Sequence, residues 1–140
     1  MRTFDADIIT KAVSQYADQI TGFDPDEWTE NFLNVALTND NEDIALFERQ
    51  QLNPVAVFGH YFFWSRGKHA VKAAKDFLEE IFTNNYGVEI ITGLTPVEHK
   101  GALWLNRQLG FSNVEIIPSH VGDLQMVILT KKDWEQINNG

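Results

Sequence analysis

The stretch Thr92-Gly-Leu-Thr-Pro-Val-Glu-His-Lys-Gly-Ala-Leu-Trp-Leu-Asn-Arg-Gln-Leu-Gly-Phe111 constrains the fold more than any other part of the chain. It reads as the end of a strand followed by a helix with signals at both ends. Thr95 is placed as N-cap, Pro96 at the first helical position and Glu98 as the partner in a capping box. Gly110 is placed to leave the helix in a left-handed conformation, with Phe111 folding back onto the last turn. A strand, a helix of that length and a further strand imply a helix packed on a sheet.

The chain has 140 residues, a single-domain length that runs over 1–140 without an internal repeat. Ten Phe, four Trp and a hydrophobic share of 44% supply a packed core. The net charge of −9 repels phosphate backbones and anionic lipid, which argues against nucleic-acid and membrane-surface partners. No cysteine is present, so disulfides, thiolate metal sites and a thiol nucleophile are excluded. The four His are dispersed, with no pair at ligand spacing on one helix face, and no metal site is expected. No apolar run is long enough to span a bilayer, and Met1–Asp7 carries no apolar signal core; a soluble intracellular protein is the expectation.

Along the chain, Asp7 to Ile20 has apolar residues at helical spacing, and Asp24-Pro25 opens a second helix whose buried face is Trp28, Phe32, Leu33, Val35 and Ala36. Thr38 to Asp43 is a polar loop. Ile44–Gln50 is a strand. Val55–Trp64, apolar on both faces, is predicted to be central in the sheet. A helix follows over His69–Phe82, with Ala70, Ala73, Ala74, Phe77, Leu78 and Ile81 inward. Strands are expected at Val88–Thr92, Val114–Ile117 and Gln125–Thr130, before a polar tail. The pattern is α/β: a mixed central sheet flanked by helices on both faces.

The order strand, helix, Leu-Gly-Phe, strand resembles the C-terminal half of the GNAT family of N-acetyltransferases, and the likeness extends over roughly Ile44 to Trp134. The resemblance implies a single-domain acetyltransferase (GNAT-like) fold, with the usual opening strand reduced to a few residues at Met1–Phe4. It also implies acetyl-CoA as cofactor, its pyrophosphate held by a loop of pattern Gln/Arg-x-x-Gly-x-Gly/Ala at a helix N-terminus, where free amides and the helix dipole favour an anion. The matching residues are Arg66-Gly67-Lys68-His69-Ala70-Val71. Arg66 fits, His69 and Val71 replace the two glycines, and Gly67 stands at an unconstrained position. Arg66, Lys68, His69 and Lys72 can offer charge in place of glycine amides, or simply begin a solvated helix.

By the same resemblance, the main chain of Tyr61, Phe62 and Phe63 would pair with the pantetheine, and Arg66 to Ala70 would meet the pyrophosphate. His99 stands where the family often has Asn, and Asn106 where it often has an acid Tyr; an amide cannot donate a proton as a phenol does. His60 is a candidate general base, or a core histidine; Glu48 can act as base through a water. His120 lies in a loop that often borders the acceptor site in this family. Trp104, off the main apolar stripe, is a candidate contact for a partner. The loop and helix from Arg66 to Leu78 are also similar to small phage-encoded acetyltransferase-like proteins, some linked to head assembly. Two functions therefore stay open. One is transfer of an acetyl group to a small-molecule or protein amine acceptor in the cytoplasm. The other is a non-catalytic role with a phage or host protein partner in virion assembly, in the host cytoplasm or the virion. Either permits an oligomer.

Overall fold

In the computed structural model, which describes residues 1–16 and 22–139, six strands form one sheet in the order β1-β2-β3-β4-β6-β5. The elements run α1 (Ala6–Val13), α2 (Pro25–Glu30), β1 (Val35–Thr38), β2 (Ile44–Arg49), β3 (Ala56–Phe62), α3 (Lys68–Thr83), β4 (Ile90–Pro96), α4 (Lys100–Leu109), β5 (Ser112–Ile117), β6 (Leu124–Thr130) and α5 (Lys131–Asn139). Only the β3–β4 pair is parallel among the named strands; the others are antiparallel. This is the mixed α/β sheet flanked by helices that the sequence implies.

Strand alternation divides the core in two. One face of the sheet sends Leu37, Phe47, Val57, Ile91, Val127 and Leu129 against α3, Leu109 and Phe111. The other sends Ala36, Ile44, Leu46 and Phe62 against Ile9, Ala12 and Val13 of α1, with Trp28 of α2 at the margin. The six inward residues predicted for α3 are all buried, while Lys72, Lys75, Asp76 and Glu79 are exposed.

Several expectations are corrected. The first helix ends at Val13 and passes into a single 3-10 turn, Ser14–Tyr16; Ala17 to Ile20 lie outside the described residues. Asp24 does cap α2 and Pro25 does open it, but the helix stops at Glu30. Phe32 and Leu33 are exposed, and Val35 and Ala36 belong to β1, where Val35 pairs with Phe47. A strand partner settles what periodicity over so short a run could not. Arg2 forms an isolated bridge with Leu37, which is what remains of an opening strand at the edge of β1. The closing segment is α5, begun by the Thr130 hydroxyl accepting from the Asp133 amide at 3.1 Å and anchored by Trp134 against Phe82 at 5.2 Å.

The largest correction lies in the stretch that opened the sequence reading. Thr95 and Pro96 are the last residues of β4, paired with Gln125 and Leu124, and α4 begins at Lys100 behind His99 with no side-chain cap. Proline is tolerated there because its nitrogen faces away from β6, while the next amide, Val97, still donates to the Asp123 carbonyl at 3.1 Å. The C-terminal reading holds: Gly110 has φ +93, and the Phe111 amide closes onto the Asn106 carbonyl at 3.1 Å.

Candidate active-site cleft

The parallel pairing of β3 and β4 covers only Ala56–Phe58 against Ile90–Thr92. Beyond it each strand continues, β3 paired to β2 alone and β4 to β6 alone. The separation opens a cavity of about 600 Å³ through the middle of the sheet. Glycines stand on both sides of the fork. A Cβ on Gly59 would lie 3.0 Å from Ile91 Cγ2, and one on Gly93 3.3 Å from Val127 Cγ2. Larger residues at these positions would push against the core under the fork.

The β3 wall carries His60, Tyr61, Phe62 and Phe63, then Ser65, Arg66, Gly67 and Ala70 at the start of α3. The opposite wall carries β4 from Ile91 to Pro96, and His99, Trp104, Leu105 and Asn106. The cavity thus brings together His60, Tyr61–Phe63, Arg66, Gly67, Ala70, His99 and Asn106 of the sequence candidates. Lys68 and His69 are exposed and do not line it, and Lys72 pairs with Asp76 at 3.1 Å. Glu48 also lies outside the lining; its carboxylate accepts from Trp28 Nε1 at 3.1 Å. His120 is exposed in the Ser119–Gly122 turn, away from the walls.

Arg66 turns back on its own loop. Its guanidinium donates to the Phe63 and Ser65 carbonyls and, at 3.3 Å, to Gln15 Oε1. Gly67, which the motif leaves unconstrained, has φ +56 and ψ −133, a backbone shape open to glycine and costly for other residues. Nothing lies within 4 Å of a Cβ added there, so the demand for glycine is conformational rather than steric. The His69 and Ala70 amides bond back to the Arg66 carbonyl. Among the described residues the Gly67 and Lys68 amides meet no acceptor. Free amides at a helix start are what an anion requires.

Asp43, which sequence reasoning left in a polar loop, holds this segment from below. Its side chain is fully covered. Oδ1 accepts from the Trp64 amide at 2.7 Å and the Ser65 amide at 3.0 Å, and Oδ2 from Ser65 Oγ at 2.6 Å and Asn39 Nδ2 at 3.1 Å. Burial raises its pKa, but the hydrogen bonds from Ser65, Asn39 and Trp64 together win and hold the carboxyl below its usual range. No local motif announces this role, because the two amides and the hydroxyl that it anchors lie more than twenty positions along the chain.

His60 is exposed on the cleft side, while the strand and sheet behind it shield part of the ring from water. Desolvation therefore pushes its imidazole below the ordinary value, and the Glu48 carboxylate pulls the other way. The Tyr61 hydroxyl is buried without a partner among the described residues, and burial pushes it up, so the phenol stays protonated. Asn106 Nδ2 donates to Thr95 Oγ1 at 3.0 Å on the α4 side of the fork.

No protein-family profile and no curated protein sequence matches this chain. Solved structures do. An aminoglycoside acetyltransferase, AAC(6')-Ib, in complex with coenzyme A and kanamycin, superposes with a TM-score of 0.71 at 14% identity over 99% of this chain and 96% of that one. A spermidine N-acetyltransferase chimera of SpeG from Vibrio cholerae and hSSAT gives 0.71 at 12% identity, covering 96% and 97%. A GNAT-family acetyltransferase from Bacillus anthracis gives 0.58 at 14%, covering 78% and 74%. At such identities the likeness is one of fold: the chain has the GNAT acetyltransferase fold.

Proposed function

We propose that this chain is an acetyl-CoA-dependent N-acetyltransferase acting on a small cationic amine. The observation that carries the reading is the fork between β3 and β4, whose cavity runs from the middle of the sheet to the free amides at the start of α3. The edge of β3 beyond Phe58 is open to strand-like pairing by the extended arm of the cofactor. The Phe63 carbonyl is taken by Arg66, which leaves the edge at Tyr61 and Phe62 as the pairing segment. The Gly67 and Lys68 amides fit the pyrophosphate, and Lys68 adds positive charge nearby. When bound, acetyl-CoA supplies the activated acetyl group.

His60 is the proposed base. With its pKa lowered it is neutral near pH 7: the ammonium gives its first proton to water, and a ring nitrogen of His60 takes the second as the amine bonds to the acetyl carbon. Glu48, fixed by Trp28, gives the acceptor side of the sheet a negative charge that favours a cation. The amine chemistry of the spermidine and kanamycin neighbours supports this class. The assembly reading has no comparable observation in its favour, and Trp104, on which it leans, lines the cavity.

A thermal-shift titration with acetyl-CoA tests the proposal. Saturation to about a hundred times Kd stabilises the native state by about 2.7 kcal/mol, a rise of several degrees in Tm. Gly67→Ala is expected to abolish most of that rise. A wild-type melt unmoved by millimolar acetyl-CoA would overturn the reading.

A further inference from the structure

We infer that Thr95, oriented by Asn106, donates a hydrogen bond to the departing sulfur of the acyl donor. This rests on the transfer proposed above and assigns it a further catalytic residue.

The parity of the two strands at the fork leads to this. Phe58 and Thr92 are the last Cα partners of β3 and β4. Two residues further stand His60 and Leu94; three residues further stand Tyr61 and Thr95. Side chains alternate along a strand, so the two levels point to opposite faces of the sheet. His60 pairs with Leu46, whose side chain belongs to the α1 face. Thr95 points to the α4 face, where its Oγ1 meets Asn106. The base and the hydroxyl therefore stand at nearly one depth in the cavity and on opposite sides of the sheet. A carbonyl lodged in the fork would be met by an amine from the α1 face and would release its leaving group towards the α4 face.

The hydrogen-bond inventory supports this. A threonine hydroxyl has one proton to donate. Its oxygen already accepts from Asn106 Nδ2 at 3.0 Å, and its own proton has no acceptor among the described residues. Asn106 is buried, while Thr95 is half-buried in the cavity wall among Leu105, Phe111 and Val127. A donor without an acceptor in an apolar wall is poorly placed unless a ligand atom meets it. Donation to Thr95 from the amide also polarises its O–H, which strengthens the bond that it makes in turn.

In the transfer, the amine nitrogen forms a bond to the acetyl carbon and the carbon–sulfur bond breaks, its electron pair passing to sulfur. The amine's proton goes to His60. Thr95 keeps its own proton and stabilises the thiolate as a donor; the thiolate is protonated later from water. A hydrogen bond to a charged atom contributes mainly once charge has developed, so the effect belongs to kcat and not to binding.

The test uses the full chain with acetyl-CoA and either spermidine or kanamycin, following thiol release. Thr95→Val, of nearly equal volume, is expected to lower kcat by roughly 10- to 100-fold, with acetyl-CoA Kd by calorimetry and KM for the amine within twofold of wild type. Thr95→Ser should restore most of the rate. Asn106→Leu should lower kcat less, again with KM unchanged. With the acetyl thioester of 4-nitrothiophenol, a much better leaving group, the gap between wild type and Thr95→Val should close. A Thr95→Val enzyme as fast as wild type, or one whose losses appear equally in Kd and kcat, would reject Thr95 and leave the acetyltransferase reading standing. No thiol release by the wild type with either amine would remove both together.

Discussion

In the proposed transfer His60 takes the amine's proton with Glu48 on the same face of the sheet, and the opposing effects of burial and of Glu48 on His60 can be measured. Desolvation holds the His60 pKa below 6.5, with Glu48 raising it in part. The rise of kcat/KM with pH should therefore be complete by about pH 7. Glu48→Gln removes the raising charge and should move that limb to lower pH, whereas a profile still climbing through pH 8 would exclude His60 as base. Asp43 makes a second residue-scale prediction. Its folded pKa lies below 3.8, so its ionised form stabilises the fold. That contribution is fully present above about pH 3.8, the unfolded value, and is lost as pH falls through the folded pKa. Asp43→Ala leaves the Trp64 and Ser65 amides, the Ser65 hydroxyl and an Asn39 donor without their acceptor and should cost on the order of 3 kcal/mol near neutrality. The difference from wild type in denaturant melts should shrink below pH 4. A constant difference from pH 7 to pH 3 would show that the charge is not what the clamp requires.

At the scale of elements, the turn after α4 is held by two features that sequence inspection separates and the fold joins. Gly110 needs its φ of +93, which costs an L residue about 1–2 kcal/mol. A Cβ there would also come within 2.3 Å of Ile137 Cδ1, at the far end of α5. Ile137 is exposed and its Cδ1 can swing aside, so Gly110→Ala should lower stability by about the backbone term, and adding Ile137→Ala should recover none of it. Acetyl-CoA affinity of the folded protein should be unchanged in both. A double variant clearly more stable than the single one would mean that Ile137 is held fast against this turn. The Leu-Gly-Phe ending was legible because it is a local matter of φ and one aromatic contact. The opening of α4 was not. Thr95, Pro96 and Glu98 have the composition of a cap, yet Thr95 and Pro96 pair with β6, and the ladder to Leu124 and Gln125 outweighs a local preference. The same competition moved Val35 and Ala36 from a supposed helix into β1.

Over the whole molecule the net charge of −9 attracts a cationic amine over distances beyond contact. Raising ionic strength from about 10 to 150 mM shortens the Debye length from about 30 to 8 Å and should lower kcat/KM for spermidine several-fold. A primary amine that is neutral at pH 7 should show little change. Equal salt dependence for both would place the selectivity in the cleft alone. Among the described residues no helix is long and apolar enough to cross a membrane, and no three metal-ligating side chains cluster.

From the sequence by itself came the α/β order, the inward face of α3 and the glycine that ends α4. These depend on periodicity, on local backbone shape or on a pattern of neighbours along the chain, which short-range physics encodes directly. The tertiary structure alone decided which side of the sheet each candidate faces. It folded the Arg66 guanidinium back onto the Phe63 and Ser65 carbonyls, made Gly67 the conformationally required glycine, and set Asp43 beneath a loop more than twenty residues away. It also made Thr95 a strand residue facing Asn106 instead of a helix cap. Such features arise where two strands part and where distant backbone amides converge on one carboxylate. Their energies depend on through-space partners, and no interval along the chain specifies those.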